Sequence, residues 1–222
     1  MIEGKKSSMN NSFYIKKYSI WNGTEDCNIP NIDFIPSLTR RRLTNIEKIG
    51  LYLANQVAPF SEGTKIVFSS RYGEWQQTIK LIQQMYNEGE MSPAGFSHSV
   101  HNAMPGLLSI VNKTPYNYTT VAANEQTIDC ALVEATISNS DILFIYAEES
   151  IPNFYKDRYG NPFNGHGIAI LISSKKDDNS RKINVTSNNT ALNKNTTFAE
   201  LVEFAEGKTE LLTRFCKLRD EL

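Results

Sequence analysis

Asp141-Ile142-Leu143-Phe144-Ile145-Tyr146-Ala147 and Gly167-Ile168-Ala169-Ile170-Leu171-Ile172-Ser173 are two runs of apolar residues with no polar alternation. A strand with one wet face alternates apolar and polar side chains; a strand covered on both faces does not. The two runs therefore predict an α/β fold with helices on both sides of a sheet. Upstream, Phe13 to Ile20 reads as a first strand, followed by an Asn-, Pro- and Asp-rich loop from Asn22 to Pro36. Thr44 and Glu47 form a Thr-x-x-Glu capping box, and Ile46, Ile49, Leu53 and Val57 fall on one helical stripe. Lys65 to Ser69 is a short apolar strand, and Ile79, Ile82 and Tyr86 recur at helical spacing between Glu74 and Tyr86. A helix is expected from Asn102 to Val111, a β-rich run from Asn117 to Ala123, and a helix from Glu125 to Ile137. After Ser174 the chain turns polar, with Ile183 and Val185 alternating, and a final helical region is expected from about Thr197 to Leu218. No repeat and no linker precede Ser174. One layered α/β domain over residues 13–222 is expected, preceded by a disordered polar extension over 1–12.

Composition removes several function classes. With 23 Lys+Arg against 24 Asp+Glu, the net charge of −1 gives no general attraction for phosphates, so no nucleic-acid partner is expected. No window approaches the roughly 18 apolar residues of a membrane helix, and the polar first residues are neither signal peptide nor anchor. Cys27, Cys130 and Cys216 cannot pair evenly and show no CxxC spacing, which predicts neither zinc site nor disulfide framework and fits the cytoplasm. Ser97-His98-Ser99-Val100-His101 places two histidines three apart, yet no Asp, Glu or Cys cluster nearby completes a metal shell. G-x-S-x-G, G-x-G-x-x-G and the P-loop are all missing. Arg40-Arg41-Arg42 reads as a solvated approach to a helix, or as a surface for an acidic carrier protein.

The segment from Asn102 onward is the most specific. Asn102-Ala103-Met104-Pro105-Gly106-Leu107-Leu108-Ser109-Ile110 resembles the ketosynthase pattern Asn-x-x-x-Gly-x-x-Ser-Ile. Val121-Ala122-Ala123-Asn124-Glu125-Gln126-Thr127 resembles the strand-to-helix elbow that carries the ketosynthase cysteine, and Gly165-His166-Gly167-Ile168-Ala169 resembles a Gly-Glu-Gly-Ala-Gly turn of that family. The likeness covers about residues 90–172. It implies a thiolase-like fold, here a single first-half domain with a mixed five-stranded sheet. The chain thus resembles the half-length, chain-length-factor relatives of β-ketoacyl synthases associated with aryl polyene biosynthesis.

The departures matter as much. A condensing enzyme needs a thiolate, activated at a helix N-terminus, to hold the acyl chain. Glu125 stands at that position, where a carboxylate gains roughly 0.3–1 kcal/mol from the helix dipole, and Asn124 is a good N-cap. Those two residues would also simply start a helix. Cys130 lies about 7.5 Å further along the axis and some 140° around it, so it does not replace the thiol. The family's decarboxylating histidines lie in a second half that follows the segment matched here; His98, His101 and His166 all precede it.

The resemblance implies a non-catalytic subunit that pairs with a full-length ketosynthase, meets an acyl carrier protein transiently and needs no cofactor. In such dimers the strand before the elbow pairs with its counterpart. Tyr118-Thr119-Thr120-Val121, with high β propensity and few charges, would otherwise be an exposed edge. Phe96, His98, His101 and Met104 are candidates for the segment along the partner and its acyl tunnel, with Tyr118 and Thr120 on the edge; the plain alternative is a loop packed on its own domain. Two further readings stand: a free-standing acyl-transfer or hydrolytic enzyme using Glu125 with His98 or His101, and a carrier-protein binding module that needs no ketosynthase.

Overall fold

The two apolar runs form neighbouring strands at the heart of one sheet. The structure, a computed structural model, describes residues 11–24, 26–138, 140–151, 155, 164–187, 194–212 and 216–220. In chain order the elements are β1 (Asn11–Asn22), α1 (Ser37–Arg40), α2 (Asn45–Val57), β2 (Lys65–Ser69), α3 (Trp75–Glu88), α4 (Pro93–Ser97), α5 (Ala103–Asn112) and β3 (Tyr118–Val121). A 3-10 turn at Asn124–Gln126 leads into α6 (Thr127–Thr136). Then come β4 (Ile142–Glu148), β5 (His166–Ser173), β6 (Arg181–Ser187), α7 (Phe198–Ala205), β7 (Leu211–Leu212) and β8 (Cys216–Asp220).

The sheet order is β3-β2-β4-β5-β1-β6-β8-β7. β2 runs parallel to β3 and β4, whereas β5 is antiparallel to both β4 and β1. Successive side chains of β4 enter different layers, as the period of two requires. Phe144 and Tyr146 pack with Val67, Ile168 and Ile170 under Ala131 and Leu132 of α6, while Leu143 and Ile145 pack with Ile66, Phe68 and Ala169 under α2 and α5. Coverage of both faces is what the unbroken apolar runs predict. The capping box also forms: Thr44 Oγ1 accepts from Glu47 N at 3.2 Å, and Glu47 Oε2 accepts from Thr44 N at 2.8 Å. Gly50 lets α2 approach α5, because a Cβ there would lie 2.6 Å from Met104 Cγ.

Two expectations need correction. The sequence predicts five strands, and among the described residues the sheet has eight. The predicted set is present as β3-β2-β4-β5-β1; β6, β8 and β7 extend it beyond β1, with Ile183 and Val185 of β6 buried. The final helical region also stops at Ala205. Gly207 takes φ 75°, its N–H reaches the Phe204 carbonyl and Lys208 N–H reaches that of Glu203, so the helix closes and the chain returns as β7 and β8. An apolar pattern of helical period does not reveal where such a left-handed glycine ends it. Asn11 and Ser12 pair with Val185 and Asn184 of β6, while residues 1–10 lie outside the described residues.

Candidate functional site

Because β2, β3 and β4 are parallel, their C-terminal ends open on one edge, the usual place for a crevice in an α/β sheet. Three loops meet there: Ser70 to Glu74 after β2, Ala122 to Glu125 after β3, and Glu148-Glu149 at the end of β4.

The β3 loop turns sharply at Asn124, which takes φ 53°, a left-handed conformation that Asn tolerates better than most residues. Its side chain does not cap the helix as the sequence predicts. Thr127 does the local work instead, its Oγ1 accepting from Ala123 N at 3.0 Å and donating to the Asn124 carbonyl at 2.7 Å. Glu125 is mostly exposed. Its Oε1 lies 3.5 Å from Arg71 Nη2, and Asn195 Nδ2 donates to its Oε2 at 3.3 Å. With Arg71, Tyr146, Thr127 and Phe198 it lines a hollow of about 470 Å³.

The backbone of Arg71 is held in place by the buried carboxylate of Glu148. Glu148 accepts from Ser70 Oγ at 2.9 Å, from Tyr72 N at 3.3 Å and from Arg71 N. Ser70 Oγ in turn accepts from Gly73 N at 2.8 Å. Burial pushes the Glu148 carboxyl up to about 7, against the pull of these donors. Next to it Glu149, which accepts from Gln76 N at 2.7 Å, is also pushed up to about 7 by burial. Glu74 reaches about 9, through burial and the neighbouring Glu47 and Glu149, with a Thr44 hydrogen bond opposing. Ser69 to Glu74 and Glu148-Glu149 escaped the sequence reading. The signal available was a polar cluster directly after each of two apolar strands.

The two histidines have other partners than Glu125. His98 Nδ1 lies 2.6 Å from Oε1 of the fully buried Glu47. His101 Nε2 faces the Val121 carbonyl at 3.4 Å and its ring sits 5.9 Å from that of Phe68. It packs on Gly73 so closely that a Cβ there would lie 2.7 Å from His101 Nδ1, and burial lowers its pKa. Met104 is core, beneath Gly50. Phe96 is exposed. Tyr118 accepts from Asn102 Nδ2 at 3.3 Å and, with His98, Arg42, Leu38, Val100 and Ile110, lines a mainly apolar groove of about 620 Å³. Thr120 lies on β3 beside it. Thus Tyr118 and His98 share the groove, His101 braces the loop after β2, and Glu125 faces a separate hollow. Among the described residues no group of three or more His, Cys, Asp or Glu is placed to hold a metal, and no helix is long and apolar enough to cross a membrane.

The raised carboxyls tie stability to pH. Folded, these groups keep protons that the unfolded chain loses near 4.5, so stability falls as pH rises through about 7 for Glu148 and Glu149 and through about 9 for Glu74. Glu74→Gln should therefore raise the melting temperature at about pH 8 and leave it nearly unchanged at about pH 4. Thermal melts of the two proteins at both pH values check this; equal shifts at both would contradict it.

The fold has solved counterparts. A complex of a ketosynthase with its chain length factor from Xenorhabdus doucetiae gives a TM-score of 0.73 at 19 % identity, covering 93 % of this chain and 98 % of that one. The ishigamide ketosynthase/chain length factor gives 0.51 at 13 % identity, over 66 % of this chain and 48 % of that one. No curated protein matches the sequence at a significant level. A family model matches from β1 into β8, over residues 16–217, and the chain belongs to the β-ketoacyl synthase, N-terminal domain family.

Proposed function

We propose that this chain is a non-catalytic, chain-length-factor-type subunit that pairs with a full-length ketosynthase to extend acyl chains held on an acyl carrier protein. One observation carries the reading. At the elbow, where a condensing enzyme carries a thiolate, Glu125 is engaged by Arg71 and Asn195. A carboxylate in an ion pair is a poor acyl carrier, and among the described side chains no thiol takes its place, since Cys130 lies beyond it on α6. The likeness to the Xenorhabdus complex, which contains a chain length factor, supports the pairing. So does the free edge of β3, and so does the groove beside it. Aryl polyene formation is the pathway that the sequence resemblance implies. Exposed Arg41 and Arg42 suit an acidic carrier protein, and an odd number of cysteines, three, without CxxC spacing suits a reducing cytoplasm. The reading calls for no cofactor.

A free-standing enzyme would need Glu125 to act with His98 or His101. Glu47 and Val121 hold those rings instead, so this second reading gains nothing from the geometry. Glu125→Gln separates the two. Co-expressed with the ketosynthase of the same organism, the variant should form the same one-to-one complex and yield the same products. Loss of turnover by the isolated chain on substitution would instead make Glu125 catalytic. A wild-type chain that stays monomeric beside the ketosynthase in size-exclusion chromatography would sink the subunit reading.

A further inference from the structure

α3 is a helix with little of its surface covered. Leu81 is its one buried residue, and its main packing is on α4. There Gln77 Nε2 donates to the Gly95 carbonyl at 3.0 Å, and Leu81 lies so close that a Cβ on Gly95 would come within 3.2 Å of it. Trp75 anchors the first turn against Tyr72, with ring centroids 4.8 Å apart. Beyond it Ile82, Met85 and Tyr86 are 62 %, 50 % and 89 % exposed. They fall at i, i+3 and i+4 and so share one face. Met91 and Phe96, both exposed, carry apolar surface onward through the hairpin.

A helix of this length is marginal in water unless an apolar face is packed. Scattered exposed apolar residues are ordinary, but a contiguous stripe marks an interaction surface. A membrane suits it poorly, because interfacial helices carry a basic polar face. Here the polar positions are mostly amides, Gln76, Gln77, Gln83, Gln84 and Asn87, with Lys80 offset by Glu88. The occupant is therefore protein. β3 offers a partner only Tyr118–Val121, while a stable interface takes about 20–30 residues on each side. The groove lined by Ser97, His98, Val100 and Tyr118 joins the end of α4 to β3 and makes the two surfaces continuous.

We infer that the α3–α4 hairpin is the second part of the ketosynthase interface: the partner that pairs with β3 also covers Ile82, Met85, Tyr86 and Phe96. This rests on the reading that the partner is a ketosynthase. The test uses the full chain with that ketosynthase. A Met85→Glu, Tyr86→Glu double variant, altered only at exposed positions, should keep the wild-type melting temperature and bind the ketosynthase about tenfold or more weakly. Tyr18→Glu, an exposed site on β1 across the sheet, should change affinity by less than about twofold. Hydrogen exchange should slow at the α3 amides when the complex forms. An intact complex with unchanged affinity in the double variant overturns the inference and leaves the subunit reading standing. Protection of α3 only in a self-associated form of this chain overturns it too. No complex with the wild-type chain defeats both.

Discussion

Thr120→Pro should abolish the complex with the ketosynthase and leave the subunit folded. Ile66 N donates to the Asn117 carbonyl at 2.9 Å, and Ser70 N donates to the Val121 carbonyl at 3.3 Å. Backbone groups alternate along a strand, so Asn117, Thr119 and Val121 face β2, while the amides of Tyr118 and Thr120 point to the free edge. Proline at 120 removes an outward N–H and no bond to β2, and its fixed φ suits an edge strand. If a partner strand pairs there, the ring blocks it and one donor is lost. We expect affinity to fall by about a hundredfold or more, with the melting temperature within a few degrees of wild type. Titration calorimetry and thermal melts read both quantities. A complex of undiminished affinity would show that β3 is not the pairing edge.

Glu148→Ala should be the most damaging single change at the elbow end of the sheet. It removes a buried acceptor from Ser70 Oγ, Arg71 N and Tyr72 N together. Orphaned buried donors cost about 1–3 kcal/mol each, although they relax in part, so a loss of about 3–5 kcal/mol is expected. For a chain of this size that lowers the melting temperature by roughly 10 °C. Glu148→Gln keeps an acceptor oxygen and should lose less, while removing this group's share of the pH dependence. Melts of both variants at neutral and acidic pH check the claim. An alanine variant as stable as wild type would mean that the loop after β2 does not depend on this carboxylate.

The sequence and the structure agree most where one physical pattern governs a whole element. Unbroken apolar runs identify β4 and β5, and the Thr44–Glu47 capping box fixes the start of α2. The C-terminal region was less legible, because the periodicity of Phe198 to Ala205 says nothing about the turn at Gly207 or about which strand Ile183 and Val185 will join. At the elbow, order and spacing located Glu125, yet its partner Arg71 comes from a loop distant in sequence and is aimed by Glu148. Such placement depends on the parallel register of β2 with β3 and β4, which no local window contains. His98 and His101 were visible as residues. Their partners, Glu47 and the Val121 carbonyl, were set by packing.

β1 occupies the middle of the sheet, between β5 and β6, with Tyr18 opposite Ile170 and Phe13 opposite Ile183. β1 thus leaves the ribosome well before both of its neighbours. Until residues 166–185 emerge, β1 has neither of its partners to pair with, and its Phe13 and Ile15 must wait uncovered. Closure of the sheet is therefore a late, long-range event, of the kind that folds slowly and exposes unpaired edges meanwhile. The β2–β4 half can form earlier, but β1 joins the sheet on both sides only once β5 and β6 have been made.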